Sequence, residues 1–342
     1  MTKNLDTHSF AEQATDLGNA VTLIASKQRE HNSDFAEDVR EGLTSTPKRL
    51  SCRYFYDEKG SALFEEICAL PEYYVTRTEH AILDENAAEI AARFEDPVDL
   101  VELGSGSASK TRLLMQALID RHGPLCFIPI DISRSALEES SKALVDDFAG
   151  LEVLAVAGEY MDGLQYLKQS GDQARLILWL GSNIGNFERQ DAITFFHRVH
   201  DAMQPQDHFL VGIDLRKDRD TLETAYDDRQ GMTARFNKNI LKRINTRLGG
   251  HFEIDRFRHL ARYDEELGRV EMHLVADAAH VVAVDGLELQ IEFAEGETIH
   301  TENSYKYSQQ EIEELTARSV FRLERQWFDR ENKFSLNLFA PE

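Results

Sequence analysis

The chain has 342 residues, 42% of them hydrophobic and 29% charged, which is enough to bury one large core or two of ordinary size. Sixty-one acidic residues against 38 basic ones give a formal net charge of −23, which disfavours binding to nucleic-acid phosphates or to an anionic membrane surface. We therefore expect a small-molecule partner, with no nucleic acid and no membrane.

The N-terminal part of the chain shows one clear periodic segment. Residues 1–50 are polar, and their composition predicts helices and loops. Residues 54–77 are dense in aromatic side chains. In residues 78–94 the apolar positions keep helical spacing, which predicts a helix.

Five strand candidates then alternate with helices. The strands are predicted at residues 98–103, 126–130, 151–157, 175–180 and 209–215, and the helices at 110–118, 135–147, 162–169 and 190–203. This alternation implies a parallel sheet covered by helices on both faces, with right-handed connections. The predicted fold class is therefore α/β, with a Rossmann-like strand order.

A Gly-x-Gly turn follows the first of these strands, at Gly104 and Gly106. Such a turn lets the backbone approach a ligand at the N-terminus of the next helix. A dinucleotide-binding loop has a third glycine where this chain has Ser109, and Glu102 would lie badly beside a pyrophosphate. The sulfonium and ammonium groups of S-adenosylmethionine tolerate an acidic neighbour, so we favour this cofactor over NAD. Asp131, at the end of the second strand, is placed to bind the ribose hydroxyls that both cofactors carry.

Three further residues are candidates for the cofactor site. Glu159 and Tyr160 follow the third strand and are placed to meet the edge and the face of an adenine. Lys110 is either a partner for the carboxylate of the cofactor or a solvated lysine on a helix surface.

Six motifs, in consistent order, resemble the ergothioneine-pathway histidine Nα-methyltransferases. They are YDEKGS at 56–61, LPEYYVTR at 70–77, ELGSG at 102–106, LGSNIGNF at 180–187, AYD at 225–227 and TENS at 301–304. The resemblance extends from about residue 45 to the C-terminus. It implies three successive methyl transfers from S-adenosylmethionine to the α-nitrogen of histidine, which give hercynine in the first step of ergothioneine biosynthesis.

The resemblance also implies which residues bind the substrate. They are Asn186 and Tyr226 at the carboxylate, Glu302 and Ser304 at the imidazole, and Tyr56 near the reacting amine. A second substrate tyrosine corresponds to Tyr73 or Tyr74, and its spacing from Tyr56 favours Tyr73.

The resemblance also implies which residues bind the cofactor, and they are among the candidates already named. The set is Gly104, Lys110, Asp131, Glu159 and Tyr160. The chain departs from the family at one point, because Glu159 and Tyr160 stand where the family has Asp-Phe. An acid beside an aromatic residue is kept, so we expect the cofactor still to bind.

Residues 216–306 break the strand–helix alternation. They contain a helical stretch at 233–248 and β patterns at 269–276 and 287–293. The chain then returns to a helix at 309–318 and to strands at 320–328 and 334–339, which fit the antiparallel pair that completes a seven-stranded methyltransferase sheet. We therefore predict a methyltransferase domain of residues 1–215 and 307–342, interrupted by a substrate-binding domain of residues 216–306.

The pair Glu302 and Ser304 favours an imidazole. A neutral imidazole has one donor and one acceptor nitrogen, which a carboxylate and a hydroxyl can satisfy. Residues two apart on an extended segment point to the same side, so both can face one ring. Two alternatives stay open: a methyltransferase of the same family for another aromatic amino acid, and a non-catalytic module that binds S-adenosylmethionine or NAD.

The three cysteines favour a cytoplasmic protein and give no sign of a metal site. Cys52, Cys68 and Cys126 lack the spacing of a metal site, and free thiols suit a reducing cytoplasm. Residues 1–10 lack the features of a signal peptide, and no apolar stretch approaches the ~20 residues that a membrane span needs. We expect a cytoplasmic enzyme without a metal and leave its oligomeric state open.

Overall fold

The computed structural model describes residues 12–26 and 32–342. Its helices and strands, in chain order, are β1 (Glu12–Gly18), β2 (Val21–Ser26), α1 (Asn32–Thr44), β3 (Lys48–Arg49), α2 (Glu58–Cys68), α3 (Tyr74–Ala92), β4 (Asp99–Leu103), α4 (Arg112–His122), β5 (Leu125–Asp131), α5 (Arg134–Asp147), β6 (Leu151–Ala157), α6 (Tyr160–Gln169), β7 (Arg175–Trp179), α7 (Arg189–His200), β8 (His208–Asp214), α8 (Arg219–Tyr226), α9 (Met232–Leu248), β9 (Phe257–Asp264), β10 (Arg269–Ala276), β11 (His280–Val284), β12 (Leu289–Phe293), β13 (Thr298–Tyr305), α10 (Gln309–Arg318), β14 (Phe321–Phe328) and β15 (Phe334–Pro341). Short 3₁₀ turns lie at Cys52–Phe55 and Asn183–Asn186, and two more lie between α9 and β12.

A nine-stranded sheet forms the centre of the protein, in the order β1-β2-β6-β5-β4-β7-β8-β15-β14. The strands from β2 to β8 in this order run parallel, whereas β15 is antiparallel to β8 and to β14. The seven strands from β6 to β14 are those of a Rossmann-like methyltransferase sheet. The predicted α/β fold class, with a final antiparallel pair, is therefore confirmed.

The central strands are mainly apolar because helices cover both faces of the sheet, and their charged residues lie mostly near the strand ends. Leu100 of β4 packs into one core and its neighbour Val101 packs into the other. Successive side chains of a strand point to opposite faces, so each strand contributes to both cores.

The prediction of helices and loops for residues 1–50 is wrong for residues 12–26, which form the hairpin β1–β2. The run Val21–Ser26 is apolar and β-branched, and β2 adds to the sheet parallel to β6. Gly18, with φ of +81°, helps the chain to turn between the two strands. The remainder of the prediction for residues 1–11 and 27–31 lies outside the described residues.

A second sheet, in the order β3-β13-β10-β9, lies mostly within residues 216–306. Its strand β3 comes from residues 48–49, which precede the large sheet in sequence. In this region α9, β10 and β12 agree with the predicted elements, whereas α8, β9, β11 and β13 were not predicted. The division of the chain into a domain and an insertion, with the stated boundaries, stays a prediction.

Helix α6 packs closely against strand β5 at Gly163. A Cβ atom there would lie 2.5 to 2.9 Å from the branched side chain of Ile130 in β5, which is fully buried and has no room to move. We expect Gly163→Ala to lower the free energy of unfolding by about 1–3 kcal/mol despite the better helix propensity of alanine. Urea unfolding measures this change. Gly171→Ala is the matched control, because its Cβ would meet no atom within 4 Å, and equal stability of the two variants would contradict the prediction.

Candidate active site

A cavity lies between the C-terminal edge of the large sheet and the second sheet. All six residues that the sequence predicts for the substrate line it: Tyr56, Tyr73, Asn186, Tyr226, Glu302 and Ser304. They come from segments that are up to about 250 residues apart in sequence. The fold therefore collects the predicted substrate residues around one space, while their roles stay predictions.

The two candidate tyrosines at the start of α3 point to different places. Tyr73 lines the cavity, where its ring contacts those of Phe64 and Tyr226 at centroid distances of 6.2 and 6.1 Å. Tyr74 lies outside the cavity lining and donates to the carboxylate of Asp214 at 2.7 Å. The geometry therefore favours Tyr73 over Tyr74 as the substrate residue.

An aromatic wall positions Tyr56. Its ring meets those of Phe64 and Phe236 edge-on, at centroid distances of 5.6 and 5.5 Å. No hydrogen-bond partner of its hydroxyl is recorded within residues 12–26 and 32–342. Burial, with the charge of Glu302 adding to it, raises the pKa of Tyr56 well above 10. The hydroxyl therefore stays protonated at neutral pH and can donate into the cavity but cannot act as a base.

Glu302 is a buried acid on β13, opposite Met272 of β10. Burial raises the pKa of its carboxyl to about 7, against the opposing charge of Lys306. The side-chain nitrogen of Asn186 faces Glu302, because the atoms around it on that side are hydrogen-bond acceptors. In this orientation Asn186 donates to Glu302 Oε1 at 3.3 Å. The 3₁₀ turn that carries Asn186 packs closely against β13 because Gly185 has no Cβ. A Cβ at this position would lie 2.8 Å from the Tyr305 carbonyl oxygen.

Ser304 and Tyr226 form a hydrogen-bonded pair whose oxygens are 2.7 Å apart. The ammonium group of Lys306 donates to both oxygens, at 2.9 Å each, and forms an ion pair with Asp214 at 2.7 Å. Lys306 is fully buried. Burial acts to lower the pKa of Lys306, but the charge of Asp214 outweighs it and raises this pKa. The lysine therefore stays charged beside the cavity.

Asp214, at the end of β8, anchors this network. Its carboxylate accepts hydrogen bonds from Tyr74 and from Lys217, the latter at 2.6 Å, in addition to Lys306. Burial acts to raise the pKa of Asp214, but the two lysines lower it. The carboxylate is therefore ionised, and the three charged side chains carry a formal net charge of +1.

The glycine turn after β4 leaves space for a ligand. Gly104 has φ of +75°, and a Cβ there would lie 3.0 Å from the Tyr160 hydroxyl oxygen. Gly106 has φ of +49°, and a Cβ there would meet no atom within 4 Å. Neither position suits a larger residue, and the turn is open at Gly106 but closed by Tyr160 at Gly104.

Asp131 holds the turn in place and keeps acceptor capacity. Its two carboxylate oxygens accept from the backbone N–H groups of Gly106 and Ser133, each at 2.9 Å. Two oxygens that flank Gly104, Glu102 Oε2 and Ser105 Oγ, are buried and have no hydrogen-bond partner among the described residues. Burial raises the pKa of Glu102 to about 8. Unsatisfied acceptors beside an open turn fit the hydroxyl and ammonium groups of S-adenosylmethionine.

Lys110 lies in the turn before α4 and forms a salt bridge with Glu79 of α3. The alternative of a solvated surface lysine is wrong, because only 18% of its side chain is exposed. The fully buried carboxylate of Glu79 also accepts from the backbone N–H of Gly181, at 2.9 Å to each oxygen. Glu79 therefore ties α3 to the turns after β4 and β7.

Glu159 and Tyr160 lie at the start of α6. Arg53 donates to the Glu159 carboxylate at 3.2 Å. Tyr160 packs its ring edge-on against Trp179 at a centroid distance of 6.1 Å, with its hydroxyl over Gly104. Their contacts with an adenine stay a prediction.

Three charged residues of this region were not predicted: Glu79, Asp214 and Lys306. Two of them had a signal in the sequence. Lys306 continues the alternation of Glu302 and Ser304, and Glu79 lies on the buried helical stripe of Val75 and Leu83. A charge at an apolar position indicates a buried ion pair.

The described residues contain neither a membrane-spanning helix nor a cluster of metal-binding side chains. No helix in residues 12–26 and 32–342 is long and apolar enough to cross a membrane. The same residues contain no group of three or more His, Cys, Asp or Glu side chains that could hold a metal ion. The expected absence of a metal stays a prediction.

Comparisons with known proteins agree with one family. A family model described as a histidine-specific, S-adenosylmethionine-dependent methyltransferase matches residues 35–341. The histidine N-alpha-methyltransferase of Mycolicibacterium smegmatis is 40% identical, over 88% of this chain and 93% of that protein. The protein of the same name from Mycobacterium tuberculosis is 41% identical, over 89% and 94%. An L-tryptophan methyltransferase of Psilocybe serbica is 30% identical, over 87% and 90%.

The raised pKa of Glu302 predicts a pH-dependent cost in stability. The carboxyl titrates near 4.5 when unfolded and near 7 when folded, so the folded protein loses stability as the pH rises through this window. We expect Glu302→Gln to gain on the order of 3 kcal/mol over the parent protein between these limits. Urea unfolding without cofactor or substrate, at a series of pH values, measures the difference.

Glu297→Gln serves as the control for this series. Hydrogen bonds from Lys48 and from the Ala294 backbone lower the pKa of Glu297. The stability difference between Glu297→Gln and the parent protein should therefore change with pH only below pH 4.5. A constant offset between Glu302→Gln and the parent protein across the whole series would contradict the raised pKa of Glu302.

Proposed function

The chain belongs to the histidine-specific, S-adenosylmethionine-dependent methyltransferases, and we propose that it methylates the α-nitrogen of L-histidine three times to give hercynine. The observation that carries this proposal is the convergence of six predicted substrate residues on one cavity. Hercynine formation is the first step of ergothioneine biosynthesis, and we propose this place in metabolism for the enzyme.

Selection of histidine is proposed to depend on Glu302 and Ser304. Both line the cavity from the same face of β13, as residues two apart on a strand do. Glu302 accepts from a ring N–H when ionised and donates to a ring nitrogen when protonated. With its pKa near 7, it can match either form of an imidazole at neutral pH.

The substrate backbone is proposed to lie between Asn186 and Tyr226 on one side and the aromatic wall on the other. S-adenosylmethionine supplies an activated methyl group when bound. The task of the protein is then to align the amine with it and to keep that amine neutral. Among the described residues, the cavity lining includes Tyr56 as a hydrogen-bond donor and no lysine or histidine that could act as a base. We therefore propose that the α-ammonium loses its proton to solvent and that Tyr56 orients the amine.

We propose that Gly104, Lys110, Asp131, Glu159 and Tyr160 bind the cofactor. The open glycine turn and the spare acceptors of Asp131 support this placement. Lys110 lies close to the turn after β7, since a Cβ at Gly181 would be 3.7 Å from its Nζ. Its charge would attract the carboxylate of the cofactor.

A related activity on another aromatic amino acid is the second candidate. The observation behind it is the similarity to an L-tryptophan methyltransferase. An indole has one N–H and no acceptor nitrogen, so it could form a hydrogen bond with only one of Glu302 and Ser304. This loss favours histidine in a cavity that buries both groups.

The first test is mass spectrometry of the purified protein incubated with S-adenosylmethionine and the twenty amino acids. We expect histidine alone to gain one, two and then three methyl groups, because it alone satisfies the buried polar groups of the cavity. Methylation of another amino acid would retain the cofactor and overturn the proposed role of Glu302 and Ser304. A protein that binds the cofactor and methylates none of the twenty would contradict the proposed activity.

Removal of the Tyr56 hydroxyl tests its orienting role. Tyr56→Phe keeps the ring contacts with Phe64 and Phe236 and should slow turnover about five- to tenfold, as the loss of one hydrogen bond does. Single-turnover rates for histidine and its mono- and dimethylated forms measure the effect. Tyr263→Phe, which removes a buried hydroxyl outside the cavity lining, should leave these rates unchanged. Parent-like rates of Tyr56→Phe at all three transfers would show that the hydroxyl has no such role.

A further inference from the structure

Lys306 uses all three of its ammonium hydrogens within the protein. A lysine has three donors and no acceptor. The partners of Lys306 are Asp214 Oδ2 at 2.7 Å, Tyr226 Oη at 2.9 Å and Ser304 Oγ at 2.9 Å. Because the ammonium group is fully buried and fully paired, it holds a fixed orientation and makes no direct bond to a ligand.

This arrangement limits the hydrogens that the Tyr226–Ser304 pair can offer. Each hydroxyl accepts one hydrogen bond from Lys306, and the two hydroxyls share one further hydrogen between them. One hydroxyl hydrogen is therefore left to point into the cavity. The oxygen that gives its hydrogen to the other keeps one lone pair for an incoming donor. The pair thus presents one donor and one acceptor.

We propose that Lys306 is a positioning residue for the substrate, which makes Tyr226 and Ser304 act as a single donor–acceptor unit. The inference rests on the proposed binding of histidine in this cavity. In the arrangement that satisfies every group, Ser304 donates to Tyr226 and Tyr226 donates to the substrate carboxylate. Ser304 then accepts the N–H of the imidazole, and Glu302 faces the other ring nitrogen.

Lys217 provides the matched control, because it binds the same Asp214 but contacts neither Tyr226 nor Ser304. Lys306→Met leaves Asp214 paired with Lys217 and Tyr74, so no unpaired carboxylate is created. Lys217→Met likewise leaves Asp214 paired with Lys306 and Tyr74. A general effect of removing one buried charge would therefore show in both variants.

The test is steady-state kinetics of the two variants with histidine and S-adenosylmethionine. We expect Lys306→Met to raise KM for histidine about ten- to hundredfold, with a smaller change in kcat and in KM for S-adenosylmethionine. Lys217→Met should keep KM for histidine within about twofold of the parent value. An equal rise of KM in both variants, or an unchanged KM in Lys306→Met, would overturn the inference.

A triple variant, compared with the double variant that lacks both hydroxyls, separates the proposed route from a general electrostatic effect. Once Tyr226→Phe and Ser304→Ala have removed both hydroxyls, Lys306→Met should raise KM by no more than about twofold further. A full additional rise would show that Lys306 acts by another route and would contradict the proposal. Thermal melting of each variant checks its fold.

If Lys306→Met does not fold, the two hydroxyl variants decide the question alone. Groups that act as a unit give a combined effect that differs from the product of the single effects, whereas independent groups multiply. Multiplication within twofold would overturn the proposal.

The activity of the parent protein separates the two levels of inference, because a parent that methylates histidine while Lys306→Met keeps its KM contradicts the role of Lys306 only. A parent that does not methylate histidine contradicts the proposed function itself.

Discussion

The ion pair between Asp214 and Lys306 joins the two sheets at the cavity. Asp214 ends β8 of the large sheet, and Lys306 directly follows β13 of the second sheet. A buried ion pair repays its desolvation only when further hydrogen bonds satisfy both ions. Here Tyr74 and Lys217 satisfy the carboxylate, whereas Tyr226 and Ser304 satisfy the ammonium. Two of the groups that stabilise the junction, Tyr226 and Ser304, thus also line the proposed substrate site.

The cofactor side of the site depends on a comparable pair. Glu79 of α3 binds Lys110 after β4 and the backbone N–H of Gly181 after β7. Two turns at the carboxyl edge of the sheet are therefore held relative to each other by one buried carboxylate. Ligands of open α/β sheets bind at this edge, so the carboxylate sets the shape of the region where a cofactor is expected.

The sequence predicted those parts of the fold that depend on local pattern. The alternation of strands and helices gave the parallel sheet, and the glycine turn at Gly104 indicated the cofactor edge. The hairpin at residues 12–26 was missed because its polar surroundings concealed a short apolar strand. Strand β13 was not predicted because polar and apolar residues mix along it, and the irregularity in its pairing with β10 interrupts the alternation. Long-range ion pairs such as Glu79 with Lys110 carry no spacing rule that would reveal both partners.

Lys306, which is fully buried, and Lys110, which is partly buried, differ in how many of their hydrogens the protein has paired. Lys306 has a protein partner for each of its three hydrogens, so it fixes the hydroxyls around it and has none left for a ligand. Lys110 has Glu79 as its recorded partner among the described residues. It therefore retains donors, which agrees with its proposed role in binding the carboxylate of the cofactor. Whether a buried lysine orders its neighbours or binds a ligand is thus decided by how many of its hydrogens the fold has already paired.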